Sequence, residues 1–252
     1  MGCSHLHVWK TMKKLRPNAL RPQRNPRKYH FIDDYFSDYT EENSYWMGFI
    51  SADGHVGVKR GRIEIKIHSK DIDRLIAFRN VLNGDFPIYR YNTRPHVSVV
   101  MFSRKMVNDL IEKEIGPKAS ALRIPLNIPD TCARHFIRGC FDGDGSISLV
   151  QNVNGRSRPL FQIIGTEHPM KWIQAKLIEQ AQVNSHVRLR SGDGCWALRI
   201  ESWGYLPKLR DYLYNDVAEP LYMKRKKEKF ELCFTTRNKT TADSPAFVLF
   251  NL

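Results

Sequence analysis

From residue 44 to about residue 235 the apolar positions form runs whose period switches between helical and strand spacing, and the order of those runs occurs twice. In the first pass, YWMGFISADG (45–54) reads as a helix stopping at Asp-Gly. Ile63, Ile65 and Ile67 then alternate with Glu64, Lys66 and His68, the two-residue period of a strand with one buried face. A helical pattern over 71–82, strand candidates at 86–91 and 96–102, and a helical pattern over 103–114 complete the pass. Residues 115–130 carry three prolines and read as a linker. The second pass runs helix 135–145, again ending on Asp-Gly, strands 146–151 and 159–165, helix 168–182, strands 186–191 and 195–200, helix 203–213, and a charged closing helix over 223–234. Each pass is α-β-β-α-β-β-α, so the expected fold class is α+β, with two αββαββα units related by a pseudo-twofold axis. The expected boundaries are a basic N-terminal arm (1–43), a first repeat (44–115), a linker (116–130), a second repeat (131–235) and a tail (236–252).

The arm is rich in Lys, Arg and Pro, with one short amphipathic stretch from Ser4 to Leu15. Ser4 could cap that helix, with Val8, Met12 and Leu15 on one face. One helix cannot make a helix-turn-helix domain, so a basic arm is the preferred reading. No apolar run approaches a bilayer span, and the N-terminus lacks the apolar core of a signal peptide, so a soluble intracellular protein is expected, with no membrane partner. The five cysteines form no C-x-x-C pair, which argues against a cysteine-based zinc site or a disulfide framework. Charge changes the picture more: 40 Lys and Arg against 26 Asp and Glu give a net charge of +14, which steers a protein toward polyanions, nucleic acid above all.

The two Asp-Gly helices share a further feature. Gly48 and Ala52 are four residues apart, as are Gly139 and Gly143, so each helix carries a stripe of small residues that lets two backbones approach closely. Packed along these stripes, the helices bring Asp53 and Asp144 together at their C-terminal ends. Gly54 and Gly145 follow, suited to the left-handed conformation that ends a helix. Two carboxylates about 5 Å apart repel by roughly 3 kcal/mol at an effective dielectric near 20, and the negative helix ends worsen their position. A divalent cation offsets this, and an all-oxygen set favours Mg²⁺. Such an ion can activate water for phosphodiester hydrolysis. The stretch DGDGS (142–146) is no calcium loop, because its sixth position is Ile147 and its twelfth is Val153.

WMGFISADG (46–54) and IRGCFDGDG (137–145) resemble two copies of the motif of LAGLIDADG homing endonucleases, and the element order resembles the single-chain, double-motif members over roughly residues 44–235. The resemblance implies two antiparallel sheets forming a DNA-binding saddle, with paired motif helices at the interface between halves. It implies a site-specific endonuclease acting as a monomer, cutting both strands of a long DNA target and in many cases encoded in an intron. Asp53 and Asp144 map onto the metal-binding acids. Mg²⁺ is the implied cofactor, with Mn²⁺ tolerated and Ca²⁺ supporting binding without cleavage. The motif's sixth position is Ser51 in one copy and Asp142 in the other, neither assigned a catalytic role. The family's basic residue near each scissile phosphate aligns with Lys226, or with its neighbour Lys227; in the first half the matching place holds Ala119, with Lys118 beside it.

A saddle implies DNA contacts on the polar strand faces. In the first half these are Lys66, His68, Arg90 and His96, and in the second Gln151, Asn152, Arg156, Arg158, Gln162, Arg188, Arg190 and Arg199. Arg, Asn and Gln are the side chains that make paired contacts to base edges in the major groove. The run Lys224-Arg225-Lys226-Lys227 is expected at phosphates or in water more than at bases. The alternative is a relative that binds DNA or RNA without cutting, a transcription regulator or an intron maturase; retention of both acids favours cutting. An intein is not expected, since the FVLFNL ending lacks the His-Asn pair, and no phosphate loop or nucleophile elbow points to a metabolic enzyme.

Overall fold

The computed structural model describes residues 28–117, 124–125, 127–151, 156–190 and 194–242, with side chains through residue 236. Helix α1 (Glu41–Asp53) starts at Thr40, whose hydroxyl accepts from the Asn43 amide (3.1 Å) while Asn43 Oδ1 accepts from the Thr40 amide (2.8 Å). This reciprocal pair satisfies two helix-terminal donors. Every residue from Asn43 to Ala52 is buried, so the helix has no solvent face. Strands β1 (Gly54–Gly57), β2 (Arg62–His68), β3 (Tyr89–Arg90) and β4 (His96–Phe102) form an antiparallel sheet in the order β1-β2-β4-β3, with α2 (Ile72–Val81) and α3 (Arg104–Glu112) between and after them. The second half repeats this: α4 (Asp130–Asp144), β5 (Ser146–Gln151), β6 (Ser157–Gly165), α5 (Glu167–Ala181), β7 (His186–Leu189), β8 (Trp196–Ile200) and α6 (Leu206–Tyr214), with sheet order β5-β6-β8-β7. Helix α7 (Lys224–Ala242) closes the unit.

In each sheet one face is apolar and joins the core. Ile63, Ile65, Ile67, Val97, Val99 and Met101 line it in the first half; Ile147, Phe161, Ile163, Leu198 and Ile200 do so in the second. These residues and both motif helices belong to one contiguous apolar cluster running through the two halves. Phe230 of α7 joins it against Phe141, Phe161 and Tyr214.

Several expected boundaries shift for local reasons. The strand expected at 86–91 shrinks to Tyr89–Arg90, because Phe86 is buried in the core edge-on to Phe31 and Pro87 has no amide to donate to a ladder. The four-residue β1 carries too little alternation to be read from GHVG. Residues 28–40, within the expected basic arm, pack onto the first half. Phe36 is fully buried, His30 donates to Asp85 (2.6 Å), and Lys113 donates to the Phe36 and Ser37 carbonyls (2.7 Å each). The Ser4–Leu15 stretch, Lys118, Ala119, Asn152 and the final ten residues lie outside the described residues. Among the described residues no cysteine forms a disulfide, and no helix is long and apolar enough to cross a membrane.

Candidate functional site

The two motif helices touch backbone to backbone. A methyl group added at Gly48 would lie 2.1 Å from the Phe136 carbonyl oxygen, and one at Gly139 only 2.0 Å from that of Tyr45. At Gly143 the same atom would meet the Ala52 methyl at 2.3 Å and the Asp53 amide nitrogen at 3.5 Å. The close approach therefore persists to the helix ends, where Asp53 is half-buried and Asp144 exposed. Gly54 and Gly145 do not adopt the expected left-handed conformation. Both are extended, with φ of −86° and −87°. They are glycine because the chain doubles back against its own helix: a Cβ would lie 2.6 Å from the carbonyl oxygen of Ile50 or Phe141.

Lys226 sits beneath this pair. It is 4% exposed, and its ammonium donates to the carbonyls of Phe141 (2.5 Å), Asp142 (2.6 Å), Gly143 (3.2 Å) and Gly145 (2.8 Å). It thereby satisfies the terminal carbonyls of α4 and places a positive charge at the helix's negative end. Burial pushes its pKa down to about 8, against the opposing pull of Asp142, Asp53 and Asp144. Both motif acids thus act electrostatically on one lysine.

Asp142 is fully buried next to them, and burial raises its pKa while the Lys226 charge opposes the shift. Its Oδ2 accepts from the Tyr45 hydroxyl of α1 (2.9 Å) and from the Met223 amide (2.6 Å), and its Oδ1 has no protein partner. Arg138, also fully buried, donates to the carbonyls of Leu221 (2.6 Å) and Leu213 (2.9 Å) and to His135 Nδ1 (2.9 Å). The other ring nitrogen of His135, Nε2, accepts from Arg134 Nε (3.1 Å) and lies 3.2 Å from the Glu41 carboxylate of α1. The polar groups at this interface were missed by the pattern of apolar positions. Their one signal in the sequence is a basic residue, Arg138, inside an otherwise apolar motif.

Strand register sorts the expected DNA contacts. Residues paired across a sheet share a face. Lys66 pairs with Ser98 and His68 with His96, on the face away from the core, together with Tyr89 and Tyr91. The Lys66 ammonium lies 4.4 Å from the Tyr91 ring centroid. Arg90, however, pairs with buried Val97, which turns it to the core side of the sheet edge. In the second half Gln162, Arg199 and His186 form one outward row, and Arg199 Nε donates to Gln162 Oε1 (2.7 Å). Arg188 pairs with Ala197 and shares that face, as does Arg190, whose amide bonds the Cys195 carbonyl (2.7 Å). Arg158 also points outward but is ion-paired with Glu201. Gln151 follows the parity of buried Ile147 and faces the other side, and Arg156 is exposed just before β6. The tyrosines and His186 were not anticipated.

Among the described residues no group of three or more His, Cys, Asp and Glu converges as a metal cage. The carboxylates of Asp53 and Asp144, at the ends of the two motif helices, instead form a sparse set of hard oxygen donors. That set suits an ion such as Mg²⁺, which keeps much of its water.

The sequence matches no protein-family model and no curated protein. The structure is similar to the I-LtrWI LAGLIDADG homing endonuclease bound to target DNA, with 15% identity, a TM-score of 0.55, and coverage of 79% of this chain and 91% of that one. It is likewise similar to the I-SmaMI LAGLIDADG homing endonuclease bound to cleaved DNA, with 12% identity, a TM-score of 0.55 and coverage of 81% and 92%. Full-length DUF199/WhiA from Thermatoga maritima matches with 17% identity, a TM-score of 0.51 and coverage of 86% and 71%. The chain therefore has the fold of single-chain LAGLIDADG homing endonucleases.

Proposed function

We propose that the protein is a site-specific endonuclease for double-stranded DNA, acting as a monomer with one acid from each half at the catalytic centre. The observation that carries this reading is the meeting of Asp53 and Asp144 at the ends of two helices in backbone contact, above a buried lysine. An arrangement that concentrates negative charge at helix ends is poor for stability, and its two acids are what a phosphodiester hydrolase of this fold requires. Both neighbours named as homing endonucleases were solved with DNA.

Asp53 and Asp144 would hold Mg²⁺, which when bound neutralises phosphate charge and activates water. The protein's own residues do the remaining work. The helix contact sets the spacing of the two acids. Lys226, its ammonium enclosed by four carbonyls, balances the charge accumulated at the end of α4 and acts on the two acids through its charge rather than by touching the phosphate. The outward faces of the two sheets, with Lys66, His68, Arg188, Arg190 and Arg199, supply phosphate and base contacts.

The test is incubation of a randomised duplex library with the protein and Mg²⁺, followed by sequencing of the ends. A recurring long site is expected. Asp53→Asn with Asp144→Asn should cut that site at least about 100-fold more slowly while still binding it. Selective binding by the parent with no cutting under any divalent ion would instead establish the reading as a DNA-binding protein without nuclease activity. The likeness to DUF199/WhiA is the observation that favours this second reading.

A further inference from the structure

The stretch leading into α7 belongs to the second half, yet residues of the first half hold it. Asp71 occupies the N-cap position of α2, but its side chain makes no capping bond to its own helix. Although only 5% exposed, its carboxylate instead receives Arg225 of α7 through two parallel bonds, Nε to Oδ1 (2.5 Å) and Nη2 to Oδ2 (2.8 Å). Three residues further along α2, on the same side of the helix, Arg74 is 1% exposed and donates to the Pro220 carbonyl (2.5 Å). These two contacts bracket residues 220–225, and Asp142 holds the Met223 amide between them. The next residue is Lys226, seated in its four carbonyls at the end of the helix that carries Asp144. A carboxylate buried at a capping position without capping, and an arginine that pairs with its neighbour Asp73 (3.0 Å) yet is buried to reach a carbonyl of the other half, are both costly placements. A shared purpose accounts for both.

We infer that Asp71 and Arg74 are positioning residues: the first half, through them, fixes the start of α7 so that Lys226 occupies its seat under the second motif helix. The consequence for the proposed nuclease, on which this role rests, is that the second-half site is complete only when the first half is docked. The two halves are then not interchangeable modules.

The first measurement needs no nuclease activity. The folded protein is treated briefly with acetic anhydride, and the modification rate of each lysine is followed by mass spectrometry. Lys226 should react at least about tenfold more slowly than the exposed Lys224 and Lys229. Asp71→Asn and Arg74→Met should each raise the Lys226 rate several-fold. Lys113, bonded to carbonyls elsewhere in the first half, serves as the control and should be unchanged. Arg225→Lys, a milder change on the partly exposed side of the pair, should give a smaller rise of the same kind. Lys226 reacting as fast as Lys224 in the parent, or equally slowly in all three variants, would overturn the inference. A parallel rise at Lys113 would also overturn it, because that marks general loosening rather than positioning. If the parent cuts DNA, Asp71→Asn should slow cutting of one strand more than the other with little change in binding. Absence of cutting by the parent refutes the nuclease reading and leaves the labelling result to decide the positioning role alone.

Discussion

At Gly54 and Gly145 the backbone is extended, so an alanine there meets no penalty from its φ angle. It meets instead the carbonyl of Ile50 or Phe141 at 2.6 Å. Gly145→Ala should therefore destabilise the protein by about 1–3 kcal/mol through overpacking, seen as a shift in the denaturation midpoint. An unchanged midpoint would mean that the turn after the motif opens freely. His135 gives a second test at this scale. Burial, with Arg138 and Arg134 nearby, pushes its pKa down from 6.5 to about 3, so the folded protein keeps the ring neutral where the unfolded chain protonates it. The unfolded state binds more protons throughout that interval. Stability is thus complete above about pH 6.5 and falls by up to about 1.4 kcal/mol per pH unit on acidification toward 3. Carboxylates contribute below about pH 5, so the diagnostic window lies between 5 and 6.5. There the melting temperature of the parent should drop with falling pH, and that of His135→Gln should stay nearly flat.

The helix pair is held by proximity rather than by an amphipathic stripe. Helix α1 is buried on all sides, so its register against α4 depends on where the small residues fall. Gly139→Ala places a methyl group 2.0 Å from the Tyr45 carbonyl, which neither backbone can yield without separating the helices. The expected result is a lower melting temperature together with slower cleavage, since the same separation spreads Asp53 from Asp144. Gly116→Ala is the control, because nothing lies within 4 Å of the added methyl. If Gly139→Ala lowers stability and leaves the cleavage rate intact, helix contact does not set the spacing of the acids.

Across the whole molecule two properties reinforce each other. The apolar core is continuous through both halves, and the links from Arg74 to Pro220 and from Asp71 to Arg225 cross between them. The described fold should therefore unfold in one calorimetric transition, with calorimetric and van't Hoff enthalpies in agreement; two separate transitions would show the halves to be independent. The net charge of +14 favours association with a polyanion over a broad surface. Contact with about 6–10 phosphates predicts a loss of roughly 10³–10⁵ in DNA affinity between 50 and 200 mM salt, and a nearly flat dependence would remove the sheets as a phosphate-binding surface.

The sequence alone was sufficient for the repeat, the fold class and the placing of Asp53 and Asp144 at the ends of the two motif helices. Strand alternation at Ile63, Ile65 and Ile67 follows from one-sided burial, and small residues four apart at Gly48 and Ala52, and at Gly139 and Gly143, mark the close helix contact; both are periodic features that neighbouring residues express together. Other features depended on distance through space, which no local period records. Arg90 is polar and lies in a strand, yet its pairing with Val97 puts it on the core-bearing face, where it stays exposed only because it lies at the sheet edge. Arg225 and Lys226 read as part of a basic run at phosphates or in water, with Lys226 aligned to the family's basic residue near the scissile phosphate, but one is bound to Asp71 and the other is enclosed by the end of α4. Gly54 and Gly145 were identified as necessary glycines, but the reason, close passage rather than a left-handed turn, could be seen only once the chain had folded back on itself. Tertiary structure decided these points because the cost of burying a charge, or of adding a methyl group, depends on residues as many as 154 positions away along the chain.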